Sequence, residues 1–94
     1  MGSWLTERRL SQTASRLRAR REELRMIDEQ IAQFADDADE LALRALVSET
    51  PAASHESNSA RKHLEAMQRH RQHVVDEIAG LEARQDHLLD QLPR

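Results

Sequence analysis

Residues 10–45 of the chain read LSQTASRLRARREELRMIDEQIAQFADDADELALRA. An aliphatic residue recurs in this stretch every seven positions, at Leu10, Leu17, Leu24, Ile31, Ala38 and Ala45. A second row follows each of the first five by three positions, at Thr13, Arg20, Ile27, Phe34 and Leu41. The two rows form the a and d positions of a heptad repeat sustained over about five heptads, which is typical of a coiled-coil helix. The stretch therefore predicts a long helix whose apolar seam must be covered by another helix.

A second heptad pattern occupies the C-terminal part of the chain. Its d positions are Ala60, Met67, Val74, Leu81 and Leu88, and its a positions are Leu64, Arg71, Ile78, Gln85 and Leu92. An antiparallel return along the first helix would pair each a position with a d position, as antiparallel coiled coils require. We therefore predict an all-α fold, with residues 1–94 forming one domain, a long antiparallel two-helix coiled-coil hairpin. The helices are expected near residues 5–47 and 58–92, with a loop near 48–57.

The composition supports helices and excludes several other kinds of protein. Of the 94 residues, 38% are hydrophobic and 2% are aromatic, which is too little to fill a globular core with large side chains. Two glycines, two prolines and 33% charged residues are typical of long helices rather than of a β-sheet. The chain has no cysteine, which excludes disulfides, thiol nucleophiles and cysteine zinc sites. A helical hairpin or bundle is the architecture that remains.

The connection between the two helices has two possible lengths. Residues 48–59, SETPAASHESNS, form the stretch richest in Ser, Pro and Asn, and Pro51 disfavours a helical conformation at Thr50. These features favour a loop of about ten residues. The alternative is a turn of about three residues, in which Thr50 caps the second helix and Pro51 takes its first position.

The length of the connection determines which side chains face each other. With the short turn, the numbers of facing residues sum to about 98. That register brings polar groups into the seam and opposes like charges, at Arg20 with Ile78, Arg71 with Ile27, Glu23 with Glu77 and Arg16 with Arg84. With the long loop, the numbers sum to about 105. That register pairs apolar residues, at Leu17 with Leu88, Leu24 with Leu81, Ile27 with Ile78 and Ile31 with Val74. We therefore predict the long-loop register.

An isolated hairpin of this composition is expected to be only marginally stable. Polar residues interrupt its seam at Thr13, Arg20, Arg71 and Gln85. We therefore predict a homodimer in which two hairpins form a four-helix bundle. A competing assembly is a parallel dimer through residues 10–45, but it would align the acidic segments of both chains, which repel each other.

Two exposed apolar groups are candidate partner-binding sites. In the long-loop register the first helix projects beyond the second and leaves three apolar residues uncovered, Trp4, Leu5 and Leu10. Near the loop, an outward stripe at helical spacing is first acidic and then apolar, comprising Asp36, Asp39, Glu40, Leu43, Leu46 and Val47. The alternatives are a frayed N-terminus for the first group and a satellite cluster packed under the loop for the second.

The charge is strongly polarised along the chain. Seven arginines against three glutamates give residues 1–27 a net charge of +4, whereas one arginine against eight acidic residues gives residues 28–57 a net charge of −7. The seven arginines form an alternative, nucleic-acid-binding site and are Arg8, Arg9, Arg16, Arg18, Arg20, Arg21 and Arg25. They alternate round the helix without stacking aromatics, which weakens this interpretation. Retention on heparin with a steep salt dependence would favour it.

Neither catalysis nor a cofactor is predicted. The helices offer no concave pocket, and no phosphate-binding loop or nucleophile motif occurs. His70, His73 and Glu77 share a helical neighbourhood but fall short of the four ligands of a closed zinc site. No apolar run reaches the roughly 18 residues of a membrane span, and the N-terminus lacks the apolar region of a signal peptide. We therefore expect a cytoplasmic protein with no membrane contact and no bound metal.

The sequence predicts a small non-catalytic coiled-coil adaptor or regulatory protein that acts through protein–protein contacts. Its expected partners are a second copy of itself and an unidentified protein. Thirteen of the fourteen basic residues are arginine, which together with the many alanines favours a GC-rich bacterial genome. The alternative function is a regulator that contacts nucleic acid or the transcription machinery through the N-terminal arginines.

Overall fold

The computed structural model describes residues 2–93, which form two long helices. Helix α1 spans Gly2–Ser48 and helix α2 spans Pro51–Asp90. The prediction of an all-α helical hairpin is therefore confirmed. The single-domain organisation and the assembly of two hairpins into a bundle stay predictions.

The connection is the short turn, and it differs from the loop predicted over residues 48–57. Helix α2 already begins at Pro51, so most of the predicted loop is helical. The Ala53 N–H donates a hydrogen bond to the Thr50 hydroxyl at 3.2 Å, which caps the helix. Pro51 takes the first helical position, where the missing N–H costs nothing and the ring presets φ. This cap and Pro51 start the helix despite the weak helix propensity of the Ser, His and Asn residues that follow.

Helix α1 ends in a left-handed residue. Glu49 has a φ of 51°, the conformation that most often follows the last turn of a helix and usually belongs to glycine. Its N–H donates to the Ala45 carbonyl at 3.1 Å, and the Ser48 hydroxyl donates to the Arg44 carbonyl at 2.6 Å. Glu49 and Thr50 are therefore sufficient to end one helix and start the next.

Within the described residues the chain divides into two compact units. Unit 1 combines the residues up to Leu24 with those from His73 onward, and unit 2 is Arg25–Gln72. Each unit thus contains one segment of α1 and one segment of α2.

Contacts between the helices within each unit follow the register of the short turn. In unit 1, the Arg20 Nε lies 3.3 Å from a Glu77 carboxylate oxygen. In unit 2, the Arg71 Nε donates to the Asp28 carboxylate at 2.5 Å, and this hydrogen bond, together with the Asp28 charge, raises the pKa of Arg71. The numbers of these facing residues sum to 97 and 99, so the predicted long-loop register is wrong.

The length of the arginine side chain explains why the short-turn register neither buries a charge in the seam at Arg20 and Arg71 nor leaves Glu23 and Glu77 to repel each other. Arg20 and Arg71 take seam positions, yet their side chains are 40% and 41% exposed because they extend out of the seam. Arg20 contacts both Glu23 and Glu77, so the two glutamates that were expected to repel share one guanidinium group. The register therefore buries no unpaired charge at these two positions.

The buried side chains lie mainly in unit 1. They are Thr6, Thr13, Leu17, Val74, Ile78, Leu81 and Leu88. Leu17 and Val74 are the most deeply buried, at 1% exposure each. The Thr13 hydroxyl donates a hydrogen bond to the Arg9 carbonyl at 2.9 Å, so this buried hydroxyl has a hydrogen-bond partner. In unit 2, all of whose residues are described, only Ile27 is buried, so its seam is left half-exposed.

Gly80 lies within helix α2 in unit 1, and no close packing contact requires a glycine there. It is exposed, and a Cβ built there would have no neighbouring atom within 4 Å. We expect Gly80→Ala to raise the free energy of unfolding by about 0.5–1 kcal/mol, because alanine loses less backbone entropy in a helix. Thermal denaturation followed by circular dichroism should show a melting temperature higher by about 2–8 °C. The neighbouring Ala79→Gly is the matched control and should lower it, and a Gly80→Ala protein that melts earlier would contradict the helical assignment.

Candidate functional site

An exposed apolar cluster lies on α1 beside the connection. Leu43, Leu46 and Val47 are 63%, 76% and 80% exposed, and we call these three residues the Leu43 cluster. They are one, three and four positions apart, which places them on one side of the helix and away from the a and d rows. The alternative prediction, burial beneath a long loop, does not apply because the connection has only two residues. The cluster is therefore a large apolar surface that unit 2 leaves open.

The predicted acidic stripe precedes the Leu43 cluster on the exposed side of α1. A Glu40 carboxylate oxygen lies 3.7 Å from the Arg44 guanidinium. Asp36 and Asp39 are exposed and make no ion pair within residues 2–93. Two carboxylates without an ion-pair partner among residues 2–93 therefore share the exposed side of α1 with the apolar cluster.

A shallow cavity of about 410 Å³ lies beside the Leu43 cluster in unit 2. Its lining residues are mostly small, and are Ala42, Ala45, Leu46, Ser54, Ser57 and Asn58. Small side chains on both helices leave the space between them unfilled. Because Leu46 belongs to both the cavity and the cluster, a partner's apolar side chain seated on the cluster has room to enter this cavity.

A second apolar group lies near the start of α1. Trp4 is 63% exposed and Leu5 is also exposed. The Arg8 guanidinium lies 6.0 Å from the centre of the Trp4 ring, a cation–π contact. Leu10 is half-buried and Thr6 is buried, so the predicted exposure of Leu10 is wrong. The short turn carries α2 further along α1 than the long loop would, and this covers Leu10.

The seven N-terminal arginines do not form one continuous surface. Arg20 pairs with two glutamates, as described above, and Arg25 lies 2.6 Å from Glu29. Arg18 donates to the Ser15 hydroxyl at 3.1 Å. Acidic or polar neighbours therefore occupy these three side chains, and Arg8 lies against Trp4. Arg9, Arg16 and Arg21 remain, all exposed.

Arg9 and Arg16 line a groove in unit 1 together with an arginine of α2, Arg84. The groove has a volume of about 550 Å³ and is lined by residues of polar or charged type: Arg9, Ser11, Gln12, Thr13, Ser15, Arg16 and Arg84. No acidic residue lines it, and the three arginines make no ion pair in the part of the chain that the structure describes. We call it the arginine groove.

Arg84 is a site residue that the sequence pattern did not predict. The sequence did contain a sign that Arg84 lies near other arginines, because the short-turn register places Arg16 near Arg84. That proximity counted against the register, since opposed like charges destabilise a coiled coil. Both arginines line one groove in the structure, so the opposed like charges mark a candidate site.

Two of the histidines contact neighbouring side chains. The His63 and Phe34 rings meet edge to face with their centres 4.7 Å apart, and the His73 Nε2 lies 2.9 Å from a Glu77 carboxylate oxygen. Among the described residues, no group of three or more His, Asp or Glu side chains is placed to hold a metal ion. Neither helix, over those same residues, has an apolar stretch long enough to cross a membrane.

Comparisons with known proteins assign no family to the chain. No protein-family model matches it, and no curated protein or solved structure does. A functional proposal therefore depends on the surfaces of this chain alone.

Proposed function

We propose that the chain is a small non-catalytic coiled-coil adaptor or regulatory protein of the bacterial cytosol, which acts through protein–protein contacts. The exposure of the Leu43 cluster carries the proposal, since contiguous exposed apolar surface is typical of interaction sites. Full burial of an aliphatic side chain contributes about 1.5–3 kcal/mol. Three such side chains contribute roughly 5–9 kcal/mol, similar to the entropic cost of association. The partner must therefore contact more of the surface than the cluster itself.

The half-exposed seam of unit 2 supplies that additional surface. Phe34 takes a seam position and is still 37% exposed, and Ile27 is the one buried residue among residues 25–72. A partner that covers both must wrap around α1 in unit 2, because the seam and the Leu43 cluster lie on different sides of that helix. This is a second reason to place the protein contact there.

A second copy of the chain is the partner with the best chemical match. On α1, unit 1 presents Trp4 and Leu5 with an excess of arginines, whereas unit 2 presents the Leu43 cluster with the acidic stripe. Unit 1 of one copy therefore complements unit 2 of another in both charge and apolarity. An antiparallel contact between the α1 helices satisfies both, whereas a parallel contact would oppose the acidic stripes.

The proposal is tested by comparing Leu43→Asp, Val47→Asp with Leu89→Asp. Leu89 is a suitable control because it is 51% exposed and lies on α2 within unit 1, outside the cluster and not on the helix that forms the proposed contact. We expect the wild-type protein and the control to sediment as dimers, and the double variant to have a dissociation constant higher by at least about tenfold, because two carboxylates would be buried against apolar groups. Sedimentation velocity over a range of protein concentrations measures this.

A contact with a different protein is tested with the same variants as tagged bait in host lysate. We expect captured proteins to bind the wild-type chain and Leu89→Asp, and to be lost with Leu43→Asp, Val47→Asp. A wild-type chain that stays monomeric at high concentration and captures the same proteins as the double variant would contradict the proposal.

The second candidate function is contact with nucleic acid or the transcription machinery. The arginine groove favours it, because three guanidinium groups there lack acidic partners. Arg20 and Arg25 oppose it, because glutamates already pair with both. Retention on heparin that falls steeply with salt would decide in its favour.

A further inference from the structure

We propose that the arginine groove binds the phosphate groups of a small polyanion, such as an inorganic polyphosphate. The proposal goes beyond the adaptor function and uses none of the residues of the Leu43 cluster. Its basis is the convergence of Arg9, Arg16 and Arg84 on one cavity that has no acidic residue in its lining.

Packing within unit 1 forces these arginines together. Arg9 and Arg16 lie two helical turns apart on the same side of α1, a separation of about 10 Å along the axis, and Arg84 comes from α2. Leu17 and Leu81 are both buried in unit 1, so the core fixes the backbone positions that carry the three arginines, while the arginine side chains themselves are exposed. Binding therefore has to order the arginine side chains but not the two helix segments.

Five arginines elsewhere in the described part of the chain pair with acidic side chains, whereas the three arginines of the groove do not. Such pairs are Arg20 with Glu77, Arg25 with Glu29, Arg44 with Glu40, Arg61 with Glu65 and Arg71 with Asp28. In the groove the like charges oppose each other across the helices, an arrangement that destabilises the fold. A bound anion would remove that repulsion, so binding and stability are coupled at this site.

The groove selects for phosphate by its chemistry. Guanidinium groups donate paired hydrogen bonds that match phosphate oxygens, and Ser11 and Gln12 in the lining add neutral donors. No aromatic or large aliphatic side chain lines the groove, so a nucleobase would have nothing to stack on. The spacing of Arg9 and Arg16 suits several linked phosphates better than one. A volume of about 550 Å³ falls in the range of small-ligand sites.

Titration with sodium tripolyphosphate tests the proposal, in wild-type protein and in Arg84→Glu. We expect wild-type protein to bind one tripolyphosphate by calorimetry, and its melting temperature to rise with ligand more than in sodium chloride of equal ionic strength. Arg84→Glu should weaken the affinity by at least about tenfold, because it replaces one of three cations with an anion. The same variant should melt about 2 °C higher without ligand, because the new carboxylate faces Arg16. Weaker binding by a more stable protein cannot result from unfolding.

Arg69→Glu is the matched control. Arg69 is exposed in unit 2, lies outside the groove, and its substitution changes the net charge by the same amount. We expect its tripolyphosphate affinity to stay within about twofold of wild type, since distant exposed charges are screened by salt. Equal weakening by Arg69→Glu and Arg84→Glu, or a thermal shift reproduced by sodium chloride, would overturn the proposal.

A short DNA duplex distinguishes the two sources of phosphate. A duplex that competes with tripolyphosphate and depends on Arg84 would support the phosphate site and identify its source as a nucleic-acid backbone. If tripolyphosphate still binds in the presence of the duplex and the duplex does not compete, the result would support a free polyphosphate ligand.

Discussion

Cysteines introduced by Ala38→Cys and Ala60→Cys should form an intramolecular disulfide in nearly every molecule. Contacts in unit 2 between Phe34 and His63 place position 38 opposite position 60, and both alanines are half-buried. The long-loop register would instead place Ala38 opposite Met67. Positions 60 and 67 are about 10 Å apart along α2, whereas the Cα atoms of a disulfide are at most about 7 Å apart. Ala38→Cys with Met67→Cys should therefore leave both thiols free.

Mild oxidation at low protein concentration, followed by counting of free thiols, measures the result. The natural chain has no cysteine, so each variant can form only one intramolecular product. Reduction and reoxidation of each variant controls for trapping of a minor conformation. If the pair at positions 38 and 67 closed preferentially, the register of unit 2 and the pairing of Asp28 with Arg71 would both be wrong.

Leu17→Ala should lower the free energy of unfolding by about 3 kcal/mol, because deletion of a fully buried leucine side chain leaves a cavity. Leu17 is 1% exposed in unit 1, whereas Leu43 is 63% exposed in unit 2. The same deletion at Leu43 should change the free energy of unfolding by less than about 0.5 kcal/mol. Urea denaturation followed by circular dichroism, at low protein concentration, measures both values.

The pair of leucines also connects stability with the proposed function. If Leu43→Ala destabilised the protein only at high concentration, Leu43 would be buried in an assembly, as the adaptor proposal requires. Equal destabilisation by Leu17→Ala and Leu43→Ala at every concentration would mean that both side chains are buried within one chain. That outcome would remove the basis of the Leu43 cluster as a contact surface.

The candidate sites differ in how far they could be predicted. Leu43, Leu46 and Val47 lie off the a and d rows, and position within the heptad is enough to predict an outward face. Arg84 lies in a site only because it meets Arg16 across the helices. Such a meeting depends on register, and the heptad spacing is the same in both registers. The same dependence explains why Leu10 was predicted to be exposed and is half-buried.

Two amphipathic helices with one seam each follow from the heptad pattern alone. That information is local, because heptad period, helix propensity and the absence of interior proline act within a few turns. The pairing of each heptad of α2 with a heptad of α1 is a tertiary property. A shift of seven residues preserves every a-to-d layer, so the two registers are equivalent in the apolar pattern. Two features outside the apolar pattern distinguish the registers. Thr50 and Pro51 start helix α2 immediately after the turn, and the long side chains of Arg20 and Arg71 extend from the seam to acidic residues on the facing helix.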